Sequence, residues 1–200
     1  GDVYVEGGGK RIASKHYAKG ERDPIVLDGI EQFLDAEGNS QQVTIGMEHT
    51  NNSLPYTFLA TWNTTVPLSS DSVKVGLKTV FSRDTVHIGE TIRLTSGLSN
   101  LTSDGLPMTM AVIGIPSGLS PQPWQLKELQ EKKAFDFYEI RGRYIALYYR
   151  QMLPSEKKEI HLDLKADFAG TYESPASSAY LYYTNEHKAW AAAQNVVVLH

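Results

Sequence analysis

Apolar and polar positions alternate with a period of two along most of the chain. Val43, Ile45 and Met47 alternate with Gln42, Thr44, Gly46 and Glu48, and Tyr56, Phe58, Ala60 and Trp62 share one face of the next run. Val73, Val75 and Leu77 repeat the pattern. Ile92 and Leu94 follow, then Met108, Met110 and Val112, then Ile145, Leu147 and Tyr149, then Ile160, Leu162 and Leu164. Each run has the length of a half-buried strand and is bounded by Gly, Pro, Asn, Asp or Ser, the residues that make turns. The pattern predicts a mainly β protein whose antiparallel sheets pack as sandwiches. Gly7, Gly8 and Gly9 fall between Val3–Val5 and Arg11–Ala13 and predict a tight hairpin.

Two stretches break the alternation. Residues 29–35 put Ile30, Phe33 and Leu34 on one helical face, with Asp28 as a cap and Glu31 at the third helical position. Residues 121–133 predict a second helix, with Ser120 as its N-cap and Pro121 at its first position. Leu126, Leu129 and Lys133 form its stripe, and Lys127–Glu131 and Glu128–Lys132 are spaced for ion pairs along it. The polar stretch from Asn63 to Asp71 predicts a linker. The expected organisation is two β-sandwich-type units, residues 1–66 and 67–200, the second carrying one short exposed helix.

Composition narrows the chemistry. The 200 residues contain no cysteine, which excludes a disulfide scaffold, a cysteine-ligated metal and a thiol nucleophile within them. The formal net charge of −4 does not give the basic footprint of a nucleic-acid module. No apolar run approaches the roughly 18 residues of a membrane span. The chain begins Gly1, Asp2, Val3, without a basic-then-apolar leader, and reads as a piece of something longer.

Motifs that would carry catalysis are missing. The six histidines include no H-E-x-x-H pair, the three glycines have no phosphate-loop register, and no G-x-S-x-G elbow occurs. Asp35, Glu37 and Asn39 lack the spacing of a calcium loop. Neither a cofactor nor a metal is expected, and acidic strand residues such as Asp163 and Asp167 read as solvated faces rather than acid–base pairs. Tyr138, Tyr144, Tyr148, Tyr149, Tyr172, Tyr180, Tyr182 and Tyr183 crowd the second half. They fit half-buried strands whose hydroxyls reach water, or a stacking platform for sugar or peptide. Three N-x-S/T sequons begin at Asn51, Asn63 and Asn100.

Four segments of the second half, in order, resemble the C-terminal receptor-binding-type domain of the α-2-macroglobulin and complement family, the very large bacterial members above all. They are Leu106–Ile115 running into Pro116–Leu119; Pro121 to Gln130 in the place of the family's exposed helix; Tyr144–Tyr149 with Glu159–Leu164 as paired central strands; and Pro175, Ala176 and Ala179 to Glu186 as the closing strand. The first 66 residues resemble the trailing part of the CUB-like sandwich that precedes this domain.

The resemblance implies a non-catalytic C-terminal portion of a secreted or periplasmic broad-spectrum endopeptidase inhibitor. In that family a protease cuts a bait region, the molecule changes shape, and many members bond covalently through a cysteine–glutamine thioester. Implied partners are the thioester-type and macroglobulin-type domains of the parent and, through it, target proteases. Vertebrate members present two lysines one helical turn apart. Here the second falls on Lys127 and the first on Pro123, which carries no charge. The candidate contact residues are Trp124, Lys127, Glu128, Glu131 and Lys132, with Trp124 expected to be a core anchor. A cell-surface adhesin or carbohydrate-binding module is the alternative reading.

Overall fold

Two glycines start the first unit. In the computed structural model, which describes residues 1–33, 42–61 and 64–200, β1 (Asp2–Gly7) and β2 (Lys10–His16) pair antiparallel with Gly7 opposite Lys10. The two-residue turn between them places both Gly8 and Gly9 at positive φ, a conformation that side chains resist. β3 (Val43–Glu48) pairs with the other side of β1, so the sheet order is β2-β1-β3. Val43, Ile45 and Met47 share a face with Val3 and Val5, as their alternation predicts. On the opposite face the Arg11 guanidinium stacks 4.0 Å from the centre of the Tyr4 ring and forks onto Glu48.

The first expected helix is described over Ile30–Phe33 only. Ile30–Phe33 form a single 3-10 turn, with Phe33 against Gly7. Leu34, Asp35, Glu37 and Asn39 lie outside the described residues, as do Trp62 and Asn63. The strand expected at Tyr56–Trp62 does not form over the described residues 54–61, which are exposed and belong to no strand. Alternation there meets no partner ladder.

The chain divides into Gly1–Thr61 and Trp62–His200. The second unit continues with β4 (Val75–Phe81), β5 (Thr85–His87), β6 (Thr91–Asn100), β7 (Thr109–Gly114) and β8 (Leu119–Pro121). Then come α1 (Pro123–Glu131), β9 (Phe137–Arg141), β10 (Tyr144–Tyr149) and β11 (Lys157–Ala166). β12 (Gly170–Glu173), β13 (Ser177–Leu181), β14 (Ala189–Ala191) and β15 (Asn195–Leu199) complete it. One sheet has the order β4-β6-β11-β8, a second β14-β13-β7-β10-β9, and a small third β12-β15-β5. β15 runs parallel to β5, and among the described residues every other ladder is antiparallel. This is a mainly β, sandwich-type fold with one short helix.

The core lies between the first two sheets. Ile92, Leu94 and Leu98 of β6 and Ile160, Leu162 and Leu164 of β11 meet Ile113 of β7 and Ile145 and Leu147 of β10. Each such side chain contributes about 1.5–3 kcal/mol on burial. Between the inward residues of β11, His161, Asp163 and Lys165 face outward, which makes its alternation clean. β7 differs. Its core face is Ala111 and Ile113, so the expected Met110–Val112 face is the outer one.

Candidate functional site

α1 starts two residues later than the sequence signals suggest. Pro121 closes β8, Gln122 is the N-cap without a side-chain capping bond, and Pro123 takes the first helical position, where its missing N–H costs nothing. The helix ends where Lys133 turns to positive φ and Ala134 N–H donates to the Leu129 carbonyl. Leu126 is its anchor, fully buried in the core, with Leu129 packed against the same cluster.

All five predicted contact residues lie on the exposed side of this helix. Trp124 is 63% exposed, so it is a surface residue and not the expected core anchor. Its indole N–H reaches back to the Gln122 side-chain carbonyl at 3.3 Å. Lys127 lies 4.0 Å from Glu131, and Lys132 pairs with Glu128. The positive charges are thus balanced along the helix, and each exposed pair is worth only a few tenths of a kcal/mol.

A polar joint fixes the helix to β11. The Gln125 side-chain amide donates to Asp163 Oδ2 at 3.1 Å, and the Asp163 backbone N–H donates to Gln125 Oε1 at 2.8 Å. Arg93 forks onto the same carboxylate at 2.7 and 2.9 Å. The Arg93 hydrogen bond, helped by Gln125, holds the Asp163 carboxyl below its ordinary pKa. Asp163 is therefore a structural latch. Asp167, four residues further on, pairs with Lys165 instead.

The outer faces of the two large sheets differ. That of β6 and β11 carries Thr91, Arg93, Thr95, Glu159, His161 and Lys165. That of the five-stranded sheet is largely apolar and aromatic, with the Glu139–Arg141 ion pair at its β9 end. The register aligns Tyr180, Met110, Tyr148 and Phe137 across β13, β7, β10 and β9, with Trp190 opposite Ser178 in the next row. Met110 and Ala146 are buried there although they lie outside the core cluster. Lys188 extends over this surface, 5.1 Å from the Tyr180 ring and 6.0 Å from Trp190. Burial raises the pKa of Tyr148 and of Tyr180.

The tyrosines do not form one platform. Tyr149 sits in the core, where burial pushes its phenol far up. Tyr182 and Tyr183 are exposed but meet edge to face at 81°. Among the described residues no group of three or more His, Asp or Glu side chains is placed to hold a metal, and no helix is long and apolar enough to cross a membrane.

Of the sequons, Asn51 is exposed and Asn100 buried, and Asn63 is outside the described residues. Sequence reasoning missed the Gln125–Asp163 joint and the aromatic outer face. The only available signal for the second was the apolar density on both faces of residues 108–115.

Residues 106–194, within the second unit, match the family model of the A-macroglobulin receptor binding domain. The four segments that resemble this domain all fall within the matched stretch. Three solved structures share its fold. A mutant of Salmonella alpha-2-macroglobulin aligns over 70% of this chain and 10% of its own, at 13% identity and a TM-score of 0.57. Native Escherichia coli alpha-2-macroglobulin, from domain MG7 to the C-terminus, aligns over 67% of this chain and 24% of its own, at 14% identity and 0.53. The trypsin-activated E. coli protein aligns over 67% and 11%, at 17% identity and 0.52. This chain therefore spans a tenth to a quarter of the length of these relatives. No curated protein sequence matches it.

Proposed function

We propose that this chain is the non-catalytic C-terminal portion of an α-2-macroglobulin-like broad-spectrum endopeptidase inhibitor, secreted or periplasmic. Its role is conformational change and protein contact after a protease cuts the parent. The observation that carries this reading is the ordered match of residues 106–194 to the receptor binding domain. Residues 1–66 are the trailing part of a CUB-like sandwich, and residues 67–200 the receptor-binding-type domain. The exposed, unpaired residues 54–61 support an incomplete first unit, because apolar alternation calls for a neighbouring strand.

The partners are the thioester-type and macroglobulin-type domains of the parent, and target proteases through it. Two surfaces of the second unit serve them. One is the solvent face of α1, with Trp124, Lys127, Glu128, Glu131 and Lys132. The other is the aromatic outer face around Phe137, Tyr148 and Tyr180. Contiguous apolar surface of this kind marks contact sites. The charge-balanced helix, with Pro123 in the place of a lysine, does not reproduce a vertebrate-type receptor site.

The test is amide hydrogen exchange on the intact parent before and after protease cleavage. Residues 120–135, or the strands of the five-stranded sheet, change protection if the unit is repositioned. Identical protection in both states overturns the reading. A carbohydrate-binding role instead requires saturable glycan binding that is lost in Tyr182→Ala or Tyr183→Ala.

A further inference from the structure

The two edges of the five-stranded sheet are treated differently. At the β14 edge the chain covers itself: Ser70 N–H donates to the Lys188 carbonyl at 3.0 Å, and Trp190 N–H donates to Ser69 Oγ at 2.9 Å. Among the described residues the other edge, β9, pairs only with β10. The turn Gly142–Arg143 joins Arg141 to Tyr144, so the main-chain groups of Arg141, Glu139 and Phe137 face β10. Those of Tyr138 and Ile140 face outward, and among the described residues neither has a main-chain hydrogen-bond partner. Such a row of unpaired groups is a template for another strand. No proline or bulge blunts it.

A cleft of about 180 Å³ opens beside this edge. Ile115, Leu119, Pro121, Ile140 and Ile145 line it, and Ile140 is 45% exposed at its rim. It is smaller than the roughly 300–1,000 Å³ of small-molecule sites and suits a single side chain. Its one charged lining residue is Arg143, which spends one bond on the Glu173 carbonyl and keeps further N–H donors. A strand added to β9 would send alternate side chains into the space between β9 and β8, level with Ile140.

We propose that the free edge of β9 is a β-augmentation site. It takes an extended peptide segment whose main chain pairs with Tyr138 and Ile140, with one aliphatic side chain in the cleft and an acidic residue next to it, against Arg143. Main-chain bonds supply affinity and the cleft supplies selectivity.

The 200-residue chain is screened with a position-scanned library of blocked hexapeptides. The expected selection is one aliphatic position with an acidic neighbour, together with slowed exchange of the Tyr138 and Ile140 amides on binding. N-methylation of the peptide's edge-facing amides leaves its side chains intact and weakens binding at least tenfold, about the loss for removed hydrogen bonds. Ile140→Pro removes an outward N–H, which an edge strand tolerates, and lowers affinity similarly. No selection above background, binding indifferent to N-methylation, or full affinity in a folded Ile140→Pro variant each overturns the proposal.

Discussion

Gln125 and Asp163 exchange two hydrogen bonds, side chain to side chain and backbone to side chain, across 38 residues of sequence. They fix the orientation of α1 on β11, while Leu126 supplies its burial. Gln125→Ala removes both bonds and leaves the Asp163 N–H to find water at a partly exposed site. The expected loss is about 1 kcal/mol. Denaturant unfolding measures it, and a change within error means the joint does not hold the helix.

The same joint has a pH dependence of defined sign. The folded pKa of Asp163 lies below the ordinary 3.8, chiefly through Arg93. Its contribution is therefore complete above that ordinary value and disappears as the pH falls below it, through the folded pKa. Solvent screening at this half-open site limits it to about 1 kcal/mol. Asp163→Asn should lower stability at pH 7 and match the parent chain near pH 2. A constant difference between the two at all pH values contradicts this linkage.

Leu126 and Trp124 sit two residues apart with opposite fates. Leu126→Ala empties a fully buried position and should cost about 2–5 kcal/mol. Trp124→Ala removes a side chain that is mostly in water and should stay within about 0.5 kcal/mol. Urea midpoints of the two variants check the ranking. Equal losses show that the indole packs more tightly than its exposure indicates.

The parts of this fold that were readable in sequence are those with one wet face. β6 and β11 alternate cleanly because Arg93, Thr95, His161 and Asp163 face water between buried neighbours. β7 is not legible in this way because its outer face is also covered: Met110 is as deeply buried as many core residues, so alternation does not tell the inner face from the outer. The run at residues 54–61 has the strand period without a strand, because period alone does not supply a partner. Trp124 was misplaced because a nine-residue helix buries only a narrow stripe, which Leu126 and Leu129 fill. The solvent side of the helix is legible from its charged residues Lys127, Glu128, Glu131 and Lys132. The aromatic face was not, since it is assembled from β7, β9, β10, β13 and β14, far apart in sequence.

Gly114 is held between strands by its lack of a side chain. A Cβ there would lie 2.0 Å from the main-chain oxygen of Pro175, which cannot swing aside as a side chain can. Gly114→Ala should therefore destabilise by about 1–3 kcal/mol through overpacking. Gly97 is the control, because its Cβ would meet nothing within 4 Å. Gly97→Ala should be neutral or gain up to about 1 kcal/mol from reduced unfolded-state freedom. Thermal unfolding of both variants tests the contrast, and equal midpoints would refute it.

Asn100 begins an N-x-T sequence, yet its side chain is committed inward. It is 4% exposed, its amide donates to the carbonyls of Asp104 at 2.7 Å and Leu153 at 2.8 Å, and its oxygen accepts from Thr102 N–H and Thr102 Oγ at 2.8 Å each. All of these bonds depend on which end of the amide is the donor. Asn100→Asp keeps the size but turns an acceptor toward two carbonyl oxygens. At pH 7 the buried carboxylate is repelled, and the loss should be about 2–3 kcal/mol. That environment raises the new carboxyl's folded pKa, so its penalty relative to Asn should shrink as the pH falls toward 4, where the protonated acid can donate one of the two bonds. Urea midpoints of both chains at pH 7 and pH 4 measure the difference. A penalty that is absent at pH 7, or that grows on acidification, means that the amide does not hold the loop between β6 and β7.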